Sequence, residues 1–311
     1  MPIAPINPAN QVADLIKWCT SVLGPCEFGS DPSREHPGQR ASIYRLRTLA
    51  GGCCVKFQRD FTHWESEVHA YERWAPAFGS LAPQLLAARA EEPLALIISE
   101  LPGEILEDIQ LPPSEETLVW RSAGQALAAL HNLSVGEYFG QCHRDGSCAG
   151  TLFTDAREYI SVEFETWLER GRRGGFLRPN EWATIRAAQS LIPAFAGERP
   201  VPCHRDYCPA NWLVKNGAWT GVIDFEFSYW DVRAADFTRY PNYDWISKPS
   251  LMDAFFEGYG RVFSAAEERQ RLVSHTLYGL ITIVWGSENQ YNAFAEEGRQ
   301  ALLHLAGLVG S

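Results

Sequence analysis

The residues best suited to chemistry stand close together: Asp206, Asn211 and Asp224, each offering an oxygen that can bind a metal ion or accept a proton. They belong to the stretch Cys203-His204-Arg205-Asp206-Tyr207-Cys208-Pro209-Ala210-Asn211 and the two apolar runs after it, joined at Asn216-Gly217. Asn-Gly between apolar runs is the strongest short-range signal for a two-residue hairpin turn. With Lys215 paired to Ala218, counting outward sets Asn211 opposite Val222, and Asp224 diagonal to Asn211 on the same face. Diagonal neighbours lie roughly 7–8 Å apart at the backbone, within reach of two side chains converging on one ion. An amide oxygen and a carboxylate suit Mg²⁺, which also favours phosphate oxygens. Asp206 enters the hairpin from a loop, where its carboxylate can accept a hydroxyl proton without occupying the metal position.

His204-Arg205-Asp206 with Asn211 completes the H-x-D-x-x-x-x-N spacing of kinase catalytic loops, and Ile223-Asp224-Phe225 stands where a second metal-binding aspartate is expected. The triplet alone is weak. Cys142-His143-Arg144-Asp145 repeats it, yet Gly150 stands where the asparagine should, and Asp145 reads as a turn residue. Independent support comes from Lys56, inside a strand otherwise made of Cys53, Cys54, Val55 and Phe57. An ammonium there needs an anion. On the following helix Glu67 lies among Trp64, Val68, Tyr71 and Trp74, and a carboxylate on an apolar face needs a partner in turn. Lys56 and Glu67 are read as that pair, the arrangement that orients ATP phosphates.

Elements that position these groups can be read from periodicity. Ser42 to Leu46 and Cys53 to Phe57 flank Ala50-Gly51-Gly52 and form a hairpin. A helix follows from about residue 63, its capping box at Thr62 and Glu65, leaving Glu65, His69 and Glu72 outward. Leu94 to Ser99 is the next strand, and a boundary falls near residue 101. Beyond it the pattern is mainly helical, with Ser114 and Ser264 as N-caps, so residues 1–100 and 101–311 read as two lobes.

Composition narrows the function. The chain has 311 residues, 46% of them hydrophobic, enough for a large core. A net charge of −11 opposes nucleic acid and anionic membranes and favours a cationic or neutral substrate. The longest strongly apolar stretch, residues 277–286, is too short to span a bilayer. Met1 to Asn10 lacks the pattern of a signal peptide, so a cytoplasmic location is expected, with the eight cysteines reduced. No cysteine pair has zinc-ribbon spacing, and nothing sets the oligomeric state.

On these residues the chain resembles the aminoglycoside phosphotransferase and choline kinase-like family of small-molecule kinases, over roughly residues 40–310. The resemblance implies an α+β, bilobal protein-kinase-like fold, with a small antiparallel-sheet lobe before a larger helical one. It implies ATP and Mg²⁺ as cofactors, Asp206 as catalytic base, Asn211 and Asp224 as metal ligands, and Lys56 and Glu67 at the nucleotide phosphates. Within Ile97-Ile98-Ser99-Glu100-Leu101-Pro102-Gly103 the carbonyl of Ser99 and the N–H of Leu101 would read adenine. His204 would brace the catalytic loop, and Asp236 would tie it down. Three departures stand out: a polar loop over residues 29–42 replaces G-x-G-x-x-G, Asp231-Val232-Arg233 replaces the Gly-Asp-Pro common in the family, and Arg205 stands where small-molecule members more often carry glycine.

The implied acceptor is a hydroxyl on an antibiotic, an amino alcohol or another small metabolite. A nucleotide-binding pseudokinase acting as an interaction module is the alternative, opposed by all five polar positions being filled. A metal hydrolase would leave Lys56 and Glu67 without a purpose.

Overall fold

The computed structural model describes residues 8–29, 41–49, 51–239 and 244–309. Helix α1 (Pro8–Leu23) and strand β1 (Cys26–Phe28) precede the hairpin of β2 (Ala41–Thr48) and β3 (Gly51–Gln58). Helix α2 (Phe61–Arg73), β4 (Leu85–Arg89) and β5 (Ala95–Ser99) follow. The five strands form one antiparallel sheet in the order β1-β2-β3-β5-β4. Helix α2 starts two residues earlier than its sequence suggests. Asp60 is the N-cap and its carboxylate accepts from the His63 N–H at 2.9 Å. The expected capping box at Thr62 and Glu65 is therefore corrected, because aspartate caps as well as threonine and leaves Glu65 for another partner.

The remaining chain is mostly helical. Strand β6 (Glu104–Ile105) leads into α3 (Pro113–His131), α4 (Ala156–Gly174) and α5 (Pro179–Gln189). Strands β7 (Val201–Cys203), β8 (Trp212–Lys215), β9 (Ala218–Val222) and β10 (Tyr229–Asp231) interrupt the helices. Helices α6 (Asp244–Ser247), α7 (Pro249–Tyr259), α8 (Ala265–Glu288) and α9 (Asn292–Val309) complete the order. Helix α3 is entered through Pro112 and Pro113, not capped by Ser114, since proline's fixed φ already suits the first helical turn. Ser264 and Glu267 do form a reciprocal box at α8.

Strand β6 pairs with β8, and β8 with β9, as a second sheet. Under it lies an aromatic core in which Trp120, Trp212 and Phe255 are buried with Trp245. Close approach of α3 and α7 requires Gly124, where a Cβ would sit 2.0 Å from the Phe255 carbonyl oxygen. Among the described residues no helix is long and apolar enough to cross a membrane.

The β8–β9 register corrects one expectation. Lys215 pairs with Ala218, but a bulge shifts the ladder so that Leu213 faces Gly221 and Trp212 faces Val222. Asn211 therefore opposes Ile223, whose N–H donates to its carbonyl at 3.0 Å, and not Val222. The cause is a tertiary contact: Gly221 has φ +150° and its backbone packs so closely on Leu81 that a Cβ would lie 2.3 Å from that carbonyl oxygen. Thr220, left unpaired by the bulge, donates its hydroxyl to the Pro102 carbonyl at 2.6 Å.

Candidate active site

Strand β3 carries Lys56 and Gln58 inward, two residues apart and so on one face. The Lys56 side chain is 3% exposed, and its Nζ lies 2.8 Å from Glu67 Oε1, 2.6 Å from Asp224 Oδ1 and 2.9 Å from Glu226 Oε2. Burial works against the ammonium charge, but Asp224, Glu226 and Glu67 outweigh it and hold Lys56 well above its ordinary pKa. Gln58 Nε2 donates to Glu67 Oε2 at 2.5 Å and to Glu226 Oε2 at 3.2 Å, which fixes both carboxylates. Glu226 and Gln58 escaped the reading of the sequence. Strand alternation from Lys56, and the acid two places after Asp224, were the available signals.

The Lys56–Glu67 contact makes a double-mutant test sharp. Lys56→Ala and Glu67→Ala should each weaken nucleotide binding, and the double variant should lose little more than Lys56→Ala alone. Calorimetric affinities summing within roughly 0.3–0.5 kcal/mol would show the two acting independently.

Asp206 sits where β7 gives way to the turn Pro209–Asn211. Its Oδ2 accepts from Asn211 Nδ2 at 2.9 Å, the same amide donates to the Asp206 carbonyl at 2.8 Å, and Oδ1 is ion-paired with Arg239 Nε. The amide nitrogen of Asn211 is thus spent on Asp206, which leaves its Oδ1 as the group able to meet a cation. His204 joins the two loops. Its Nδ1 accepts from the Asp206 N–H at 3.3 Å while Nε2 donates to the Ile223 carbonyl at 3.1 Å, a tautomer assigned from the bonding pattern. Burial lowers the His204 pKa, consistent with the neutral ring that this pattern needs.

Asp236 secures the loop from below. Its carboxylate accepts from the backbone N–H groups of His204 and Arg205 and from His131 Nε2 at 2.9 Å. Cys203 lies beside this pair, and all three side chains are buried. With both Asp236 oxygens engaged by donors, the cluster is a structural brace.

Two of the departures in sequence prove to be one feature. Arg205 has φ +62°, a left-handed conformation that glycine adopts without cost and arginine rarely takes. Here Arg205 Nε pairs with Asp231 Oδ2 at 2.9 Å, and the guanidinium covers the Tyr229 ring at 4.3 Å. Asp231 also accepts from the Tyr159 hydroxyl at 3.2 Å. Asp231→Ala should destabilise the fold by about 3–5 kcal/mol, because it strands a largely buried cation. Arg205→Gly introduced into that variant should restore much of the loss, read from thermal or denaturant unfolding.

Of the three residues expected outward, Glu72 is exposed, but Glu65 is half-buried and His69 buried. They meet the hairpin around residues 141–148: Glu65 Oε2 contacts His143 Nδ1 at 2.6 Å, Glu72 Oε1 contacts Arg144 Nη2 at 2.6 Å, and His69 Nδ1 lies 3.0 Å from the Arg144 carbonyl. Asp145 accepts from the Ser147 N–H and hydroxyl, the turn role read for it. The second His-Arg-Asp thus holds α2, the helix that carries Glu67.

Ser99 ends β5, its N–H donating to the Gln84 carbonyl and its hydroxyl accepting from the Gln84 N–H, both at 2.9 Å. Leu101 lies on the connection to β6, close to Gly221. The replacement for the glycine-rich loop falls largely at residues 30–40, outside the described residues.

Three carboxylates facing one ammonium leave surplus negative charge, and Asn211 pairs through its backbone with Ile223, the neighbour of Asp224, so the oxygens brought to this region suit a hard divalent cation such as Mg²⁺. An antiparallel sheet with a buried lysine, a helix supplying its glutamate, and a mainly helical region bearing the Asp206 loop together define a protein-kinase-like phosphotransferase. The model of the phosphotransferase enzyme family matches residues 34–272, and the chain belongs to that family. Among solved structures, a thermostable mutant of aminoglycoside phosphotransferase APH(4)-Ia, in ternary complex with AMP-PNP and hygromycin B, matches at TM-score 0.72 and 16% identity, covering 96% of this chain and 99% of that one. The GDP and kanamycin complex of APH(2″)-IIIa matches at TM-score 0.69 and 14% identity, covering 94% and 98%. The gentamicin complex of APH(2″)-IIa matches at TM-score 0.62 and 15% identity, covering 97% of each chain. No curated protein matches the chain in sequence.

Proposed function

We propose that this phosphotransferase moves the γ-phosphoryl group of ATP to a hydroxyl of a small molecule, with residues 1–100 gripping the nucleotide and residues 101–311 the acceptor. The observation that carries this reading is the meeting of Lys56 and Glu67 from one sheet and helix with Asp224 and Glu226 from the other region. Asp206 takes the proton of the acceptor hydroxyl. The acceptor oxygen attacks the γ-phosphorus, and the bond from phosphorus to the bridging β-phosphate oxygen breaks with its electron pair leaving on ADP. Asn211 and Asp224 would hold Mg²⁺, which supplies charge neutralisation at the phosphates when bound. Lys56, oriented by Glu67, contacts the α- and β-phosphates, while the Ser99 carbonyl and the Leu101 N–H read the adenine.

Hygromycin B, kanamycin and gentamicin in the matched structures make hydroxyl-rich aminocyclitol antibiotics the first acceptors to test, followed by amino alcohols. The net charge of −11 favours such cations. Coupled ADP release should rise above the acceptor-free rate with at least one member of an aminoglycoside and amino-alcohol library. Magnesium-dependent ATP binding with no acceptor-stimulated turnover across a broad library would favour the pseudokinase reading instead.

A further inference from the structure

We propose, resting on the kinase reading above, that Arg239 is a catalytic residue whose guanidinium binds the transferring phosphoryl group on the acceptor side of the cleft. Arg239 follows the short turn Arg233–Phe237 and lies against the candidate base, its Nε paired with Asp206 Oδ1. Its Nη1 donates to the Tyr278 hydroxyl at 2.9 Å, and that hydroxyl donates to Glu297 Oε1 at 3.1 Å. The guanidinium lies 5.8 Å from the Tyr278 ring centre and 5.6 Å from that of Phe294. Helices α8 and α9 therefore hold it in place, with its side chain 24% exposed. Cys208 lies beside the same guanidinium, so among the described residues Asp206, Tyr278 and Cys208 engage three of its five N–H groups, which leaves two for an oxyanion.

The reaction itself brings an oxyanion to this point. A hydroxyl bonded to Asp206 lies about 2.6–3.2 Å from the carboxylate, and the phosphorus it attacks lies about 3–3.5 Å further on. Phosphoryl oxygens then pass within reach of a guanidinium already bonded to Asp206. The other cations nearby are committed elsewhere: Lys56 to three carboxylates, and Arg205 to Asp231 and the Tyr229 ring. As the proton moves to Asp206 and the phosphoryl group leaves ADP, charge spreads over the equatorial oxygens, where a fixed arginine stabilises it most.

Fluoroaluminate with ADP and Mg²⁺ mimics the phosphoryl group in flight and needs no knowledge of the acceptor. Wild-type protein should bind ADP much more tightly with fluoroaluminate than without it. Arg239→Ala should bind ADP alone as wild type does but lose about 10²-fold of the fluoroaluminate gain. Arg239→Lys should keep part of that gain, and added guanidinium should restore part of it to the alanine variant. An unchanged gain in Arg239→Ala, an equal loss for ADP with and without fluoroaluminate, or no gain in wild-type protein that binds ADP overturns the proposal while sparing the kinase reading. Wild-type protein that binds no magnesium nucleotide sinks both.

Discussion

Asp206→Ala should lower turnover by about 10²–10⁴-fold, the usual contribution of a positioned general base, while ATP affinity stays nearly unchanged. The separation follows from the contacts. Asp206 bonds to Asn211 and Arg239 and takes no part in the cluster around Lys56, and Asn211 keeps its bond to the Asp206 carbonyl in the alanine variant, so the contacts assigned to the nucleotide are largely spared. Steady-state kinetics with an acceptor from the screen, beside calorimetric ATP titration, gives both readouts. A variant keeping more than about a tenth of wild-type turnover would rule Asp206 out as the base.

Asp224→Asn should be comparably damaging through a different route. The substitution keeps the shape but removes one anionic oxygen donor, so the magnesium concentration required for ATP binding should rise severalfold and phosphoryl transfer should collapse. It also replaces the anionic partner of Lys56 at 2.6 Å with a neutral amide oxygen, leaving Glu67 and Glu226 as the charges that hold the ammonium. Asp224 has φ +68°, a conformation that asparagine tolerates as readily as aspartate, so a folding defect should not cloud the result. An unchanged magnesium dependence of ATP binding in this variant would speak against Asp224 as a metal ligand.

How much of this could be read from the sequence depended on whether one local pattern decided it. Asn216-Gly217 announced its hairpin because few other dipeptides accept two successive positive φ values. Lys56 and Glu67 were legible because each was a charge in an apolar setting, and each needed the other. The bulge at Thr220 was not, since it arises from the approach of Gly221 to Leu81, far away in the chain. Caps were misplaced for a related reason: Asp60, Pro112 and their neighbours offer several chemically adequate starts, and tertiary contacts choose among them. The partnership of Arg205 with Asp231 also stayed hidden. Each residue looked like a separate deviation until the fold brought them to 2.9 Å.

The grip of residues 141–148 on α2 bears on control. A glutamate on a helix free to swing can serve as a switch, ordering the lysine only when some signal arrives. Here one side of that helix is committed to Lys56, and the other is tied through Glu65, His69 and Glu72 to a hairpin outside the first sheet. Held from both directions, α2 cannot move without breaking contacts on one side or the other. The Lys56–Glu67 pair is therefore assembled in the absence of nucleotide, and on the proposed kinase reading the output of such a protein would be set by how much of it and of its substrates is present.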